Sequence, residues 1–178
     1  MYINSTGLVL EGGGMRGLYT AGVLEYFLEN DIEFPYVIGV SAGACMAASY
    51  LSKQLGRNAK VNIGYANDRK YLSFRNLIKN GELFGMDYLF NKIPNELVPF
   101  DYKAFEDNPS EFVIGTTDCK TGEPVYFSRK EYQADVLTPI RASSSLPFMA
   151  PIVSFQGFDL LDGGLSDPVP LKKAEQDG

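Results

Sequence analysis

The sequence predicts an α/β fold built on a parallel sheet. Three observations predict it: short apolar runs that end in glycine loops, helical periodicity that starts directly after each loop, and a repeat of this strand-loop-helix order before Gly56. The first run, Gly7-Leu8-Val9-Leu10, stops at Glu11 and a triple glycine, as a buried strand feeding a tight loop does. From Met15 to Asn30 the residues Leu18, Gly22, Val23, Tyr26 and Phe27 recur at helical spacing, and Asn30-Asp31 supply a stop. Tyr36 to Val40 is the second strand. Ala42 to Leu55 reads as a helix with small residues on its packed face, ended by Gly56.

Between Arg57 and Pro109 the pattern becomes irregular, with a short helical piece over Ser73 to Asn80. Phe84, Met86, Tyr88, Leu89, Phe90, Phe100, Tyr102 and Phe105 accumulate there. They suit either a lid or acyl pocket or plain packing on the sheet, and the second is favoured because apolar residues at helical spacing are usually core. Glu111 to Thr117 and Pro124 to Ser128 form a hairpin around Lys120-Thr121-Gly122-Glu123. Ile152 to Phe155 and Phe158 to Leu161 pair around Gln156-Gly157, and the second of these strands delivers Asp162-Gly163-Gly164. Pro170 to Gly178 begins a helix and stops where a βα pattern would return another strand. The expectation is therefore one domain, 1–178, that lacks its C-terminal part.

Composition excludes several classes. A net charge of -6 and a pI near 4.7 oppose a nucleic-acid footprint, and no polybasic patch is present to hold anionic lipid, so any membrane contact is expected to be transient. Cys45 and Cys119 have no ligand spacing and the chain has no histidine, so no metal site and no cofactor are expected. The start of the chain does not read as a secretory signal, which gives a cytoplasmic expectation with both thiols reduced. Phe34 to Ser52 carries no charge, yet its glycine, alanine and serine content reads as strand, turn and buried helix, not as a membrane span.

Three motifs carry chemistry. Gly39-Val40-Ser41-Ala42-Gly43 follows a predicted strand and opens a predicted helix, the setting that exposes a nucleophilic hydroxyl on a sharp turn; the bland alternative is a structural N-cap serine. Gly12-Gly13-Gly14-Met15-Arg16-Gly17 lies between a strand and a helix, where several N–H groups point at one anion. That anion is a tetrahedral oxyanion or a nucleotide pyrophosphate. The next strand ends in Ser41 and not in a ribose-binding acid, which favours the oxyanion. Arg16 either shapes the loop and adds positive charge or is an ordinary surface arginine. Asp162-Gly163-Gly164 alone is only a turn signal. In a chain with an elbow serine and no histidine, Asp162 becomes the best candidate to accept the serine proton, ahead of Lys53, which lies well down the elbow helix. A carboxylate has an ordinary pKa near 3.9, so partial burial is needed to make it a useful base.

In this order the motifs resemble the patatin-like phospholipase family, and the resemblance runs from Leu8 to Val169. It includes Arg141-Ala-Ser-Ser-Ser-Leu-Pro147, which is similar to the family's serine-rich segment before a proline. The resemblance implies a three-layer α/β/α sandwich with a mostly parallel central sheet and a Ser41–Asp162 dyad. It also implies an oxyanion hole around Gly12, Gly13, Gly14 and Ala42, with Arg16, Gly17, Gly39, Gly43, Gly163 and Gly164 supporting the motifs. The expected activity is hydrolysis of lipid or other acyl esters. Rival readings are a nucleotide-binding module, an α/β-hydrolase whose histidine lies beyond residue 178, and an inactive lipid-binding scaffold.

Overall fold

The computed structural model describes residues 6–66, 68–71, 73, 76 and 82–178. Strand β1 (Gly7–Leu10) enters a one-turn 3-10 helix (Gly14–Arg16) and then helix α1 (Gly17–Glu29). Strand β2 (Tyr36–Val40) leads into α2 (Ala42–Leu51), and α3 (Arg57–Asn62) follows. A π-helical stretch (Tyr88–Leu97) and α4 (Tyr102–Asp107) precede the hairpin of β3 (Glu111–Asp118) and β4 (Pro124–Phe127). Then come α5 (Arg129–Tyr132), α6 (Leu137–Ser143), the second hairpin of β5 (Val153–Phe155) and β6 (Phe158–Asp162), and α7 (Leu171–Asp177).

The sheet runs β1-β2-β3-β6-β5, with β4 also on β3. β1, β2 and β3 are parallel neighbours, and four of the six strands share one direction. Val37, Ile38 and Val40 of β2 and Phe112 and Ile114 of β3 have no exposed surface. Successive strand residues point to opposite faces, so both faces of the central strands are covered, as in a three-layer α/β/α fold. α2 packs on β2 and on α1, while α6 packs on β3.

The register on β3 places the site. β2 and β4 both pair with Ile114 and Gly115, and β4 and β6 both pair with Thr116 and Thr117. Strands sharing a stretch of β3 must lie on opposite edges, so β2 and β6 lie end to end along the same edge. Val40 sits opposite Gly115 and Asp162 opposite Thr116, one residue further along. The end of β6 therefore abuts the end of β2.

Two expectations change. The elbow helix ends at Leu51, not Leu55: the Ser52 hydroxyl donates to the Ser49 carbonyl, and Lys53 turns to a positive φ of 54°. Gly56, at φ 75°, begins α3 instead of ending α2. The aromatic region divides between its two readings. Phe105 packs edge-on against Phe112 at 6.1 Å in the main core, whereas Phe84, Leu89 and Phe90 line a cavity. The helical piece expected over Ser73 to Asn80 falls, apart from residues 73 and 76, outside the described residues.

Candidate active site

Ser41 stands between β2 and α2 at φ 52°, ψ −122°, a region that side-chain-bearing residues avoid at a cost of about 1–3 kcal/mol. Its surroundings hold it there. Its N–H donates to the Ser143 hydroxyl at 2.7 Å, and that hydroxyl donates to the Gly115 carbonyl at 2.5 Å. Ser143 is completely buried at the end of α6, so it ties the elbow to the middle of β3. The flanking glycines are required by contact distances. A Cβ on Gly43 would lie 2.6 Å from the carbonyl oxygens of Leu10 and Glu11, and one on Gly39 would lie 2.8 Å from the Ala44 nitrogen. Only hydrogen at these positions lets the first turn of α2 sit against the ends of β1 and β2. Gly17 faces Ala42 at 2.9 Å in the same way.

Asp162 ends β6, and its Oδ2 accepts the Ser41 hydroxyl at 2.7 Å. Its Oδ1 accepts the Gly164 N–H at 2.8 Å, and its backbone carbonyl accepts the Thr117 hydroxyl at 2.8 Å. The carboxylate is thus clamped at both oxygens and at its main chain. Gly163 passes so close to β3 that a Cβ there would lie 2.3 Å from the Gly115 carbonyl oxygen. Asp162 is 2% exposed. Burial pushes its pKa above the ordinary aspartate range, and the hydrogen bonds from Ser41 and Gly164 pull the other way without cancelling the rise.

The glycine loop lies beside this pair: a Cβ on Gly12 would lie 3.3 Å from that of Ser41. The Gly12 N–H is engaged, donating to the Pro168 carbonyl at 3.2 Å, which corrects the expectation that it serves an oxyanion. Gly13 and Gly14 have φ of 157° and 55°, and their amides, with that of Ala42 at the start of α2, find no acceptor among the described residues. Arg16 is exposed, with its Nε 3.5 Å from where a Gly13 Cβ would stand, so its charge lies over the loop. Together with the partial positive charge of the α2 N-terminus, this makes an anion-friendly corner next to Ser41.

A cavity of about 520 Å³ opens from that corner. Ser41 and, from α2, Ala42, Cys45 and Ala48 form one wall, and Phe90 and Ile93 of the π-helical stretch belong to its lining. Burial raises the Cys45 thiol to about 11, so it stays protonated and does not compete with the serine. Lys53, the alternative base, pairs with Glu33 at 2.7 Å. Among the described residues no three Asp, Glu or Cys side chains cluster as a cation site requires. No helix among them is long and apolar enough to cross a membrane. The sequence gives Ser143 no role beyond its place in the serine-rich segment, because nothing local marks which of three adjacent serines faces the elbow.

Residues 8–174 match the family model described as patatin-like phospholipase. The chain belongs to that family. YjjU, an uncharacterised protein of Escherichia coli (strain K12), is 32% identical over 96% of this chain and 48% of its own length. A lysophospholipase nte1 of Aspergillus terreus is 30% identical over 92% of this chain and 10% of its own length. In fold, the chain is similar to VipD from Legionella pneumophila, with a TM-score of 0.61 and 14% identity, covering 89% of this chain and 46% of that one. This patatin-like chain thus spans about half of YjjU and a tenth of the lysophospholipase.

Proposed function

We propose that the protein is a serine acyl hydrolase that cleaves acyl esters of lipids through Ser41 and Asp162. The observation that carries this reading is the 2.7 Å hydrogen bond from the Ser41 hydroxyl to a buried carboxylate at the mouth of an apolar cavity. A naming relative, lysophospholipase nte1, supports the lipid substrate class. Asp162 takes the serine proton as the oxygen attacks the ester carbonyl. The raised pKa brings this carboxylate nearer to the strength a general base needs at neutral pH. The amides of Gly13, Gly14 and Ala42 receive the developing negative charge, each such donor being worth about 3 kcal/mol to a transition state. Asp162 passes that proton to the leaving alcohol, and the carboxylate so regenerated deprotonates the water that attacks the acyl-enzyme; the acid departs and the proton returns to the Ser41 oxygen.

In this reading contact with a lipid surface is transient, because the net charge of -6 gives no attraction to anionic headgroups. Two free cysteines, Cys45 and Cys119, suit a reducing, cytoplasmic compartment. The test is Ser41→Ala together with labelling by a fluorophosphonate. Turnover of a p-nitrophenyl ester should vanish and the label should map to Ser41. Parent-rate turnover by Ser41→Ala, or a label elsewhere, would refute the assignment.

A further inference from the structure

The wall that Ser41, Ala42, Cys45 and Ala48 give the cavity is one face of α2 and its N-cap, and the cavity follows that face to Arg57. Arg57 is anchored there by two bonds: Nη1 donates to the Ser49 hydroxyl at 3.0 Å and Nη2 to the Val98 carbonyl at 3.2 Å. Its guanidinium stacks over Phe100, 5.2 Å from the ring centre, and Phe100 also lines the cavity. The Nε is buried and has no hydrogen-bond partner. No carboxylate among the described residues pairs with Arg57, and the residues outside the description include neither Asp nor Glu. A guanidinium carries five donors, and the protein engages one on each Nη of this one. The carbonyl end of α2 nearby offsets part of its charge but offers it no bidentate partner. Arg57 is half-buried, and a cation that has lost part of its water gains from an anion beside it.

We propose that Arg57 is an anion-receiving subsite at the far end of this cavity, so that the preferred substrate carries a negative group remote from the ester carbonyl. The length follows from the helix. Eight residues separate Ser41 from Ser49, about 12 Å at the α-helical rise. An extended chain advances about 1.2 Å per atom, so the anion sits roughly eight to ten atoms from the reacting carbonyl. The anion is either the terminal carboxylate of the acyl group or an anionic headgroup carried at that distance, beyond the roughly five or six atoms that separate a glycerophospholipid's own phosphorus from its ester carbonyl. The subsite deepens the acyl-hydrolase reading and rests on it for the meaning of the spacing, though not for anion binding itself.

The experiment compares p-nitrophenyl half-esters of α,ω-dicarboxylic acids with p-nitrophenyl esters of the matching monocarboxylic acids, over a range of lengths. The parent protein should favour the half-ester in kcat/KM by about tenfold or more, as a charge-assisted hydrogen bond allows, with the preference peaking at roughly eight to ten atoms. Arg57→Met should abolish the preference, and Arg57→Lys should retain part of it. Competitive inhibition by glycerol 3-phosphate that disappears in Arg57→Met would support the subsite and assign it to a headgroup. Thermal shifts of Ser41→Ala protein with the dicarboxylate and with glycerol 3-phosphate read anion binding without turnover, so failure of the serine assignment is separable from failure of the subsite. If Arg57→Met does not fold, the parent ratios and these shifts decide. No preference at any length, no competition and no thermal shift would overturn the proposal.

Discussion

Replacing Ser143 by alanine removes one oxygen that lies outside the reacting pair and should damage both stability and turnover. Two bonds are lost: the Ser41 N–H loses its 2.7 Å acceptor, and the Gly115 carbonyl loses a 2.5 Å donor. An amide stranded in the interior costs about 1–3 kcal/mol, and a net ordinary hydrogen bond about 0.5–1.5 kcal/mol. Together they give a destabilisation of about 1.5–4.5 kcal/mol, a large part of the 5–15 kcal/mol that holds a typical domain. Ser41 also loses a tether that keeps its φ at 52°, and a displaced nucleophile of about 1 Å can cost a factor of about 100 in kcat. Urea unfolding and ester turnover of Ser143→Ala measure the two effects. Ser144→Ala is the control, because its hydroxyl makes only a 3.5 Å contact to the Cys45 sulfur; it should change stability by less than about 1 kcal/mol. If Ser143→Ala lost less than about 1 kcal/mol and kept the parent kcat, the tether would not be what holds the elbow.

Asp162→Asn should lower kcat by about 100-fold or more through loss of the base, yet should not lower the melting temperature at pH 7. The folded pKa of this carboxyl is raised, so its contribution to stability is full below the unfolded value and is lost as pH rises through the folded one. At neutral pH the ionised Asp162 is a burden that asparagine relieves. For the same reason kcat/KM of the parent should fall on acidification at a pH above the ordinary aspartate value near 3.9. A profile flat well below neutrality would contradict the burial argument. Gly43→Ala should cost more than about 3 kcal/mol or prevent folding, because a Cβ there lies 2.6 Å from two backbone oxygens; chemical denaturation reads this directly, and near-parent stability would disprove the packing.

Much of the site was legible from local chemistry. A serine on a strand-to-helix turn needs glycines around it, and the sequence shows them at Gly39 and Gly43. The absence of histidine points to a carboxylate as the acceptor of the serine proton. The strand pairs failed by no more than a residue or so at their ends, since alternation and turn residues mark them. The end of α2 was misread because nothing before Gly56 breaks helical composition. The chain turns at Ser52 and Lys53 through a side-chain bond to the Ser49 carbonyl, which propensity does not record. The aromatic stretch could not be divided between core and cavity, because Phe105 and Phe90 differ only in what faces them.

The sequence by itself determined the elements, the serine-bearing turn, the glycine loop and the pool of acids available to a serine without an imidazole. These depend on steric and hydrogen-bonding preferences of neighbours along the chain. Only the tertiary structure decided that β2 and β6 meet end to end on β3, which sets Asp162 against Ser41. The same packing assigns the Gly12 amide to Pro168, Ser143 to the elbow, and Arg57 to the lining of the cavity, with no ion pair among the described residues. Such facts follow from pairing register and packing between distant segments, where one residue of slip would turn Asp162 to the other face of the sheet.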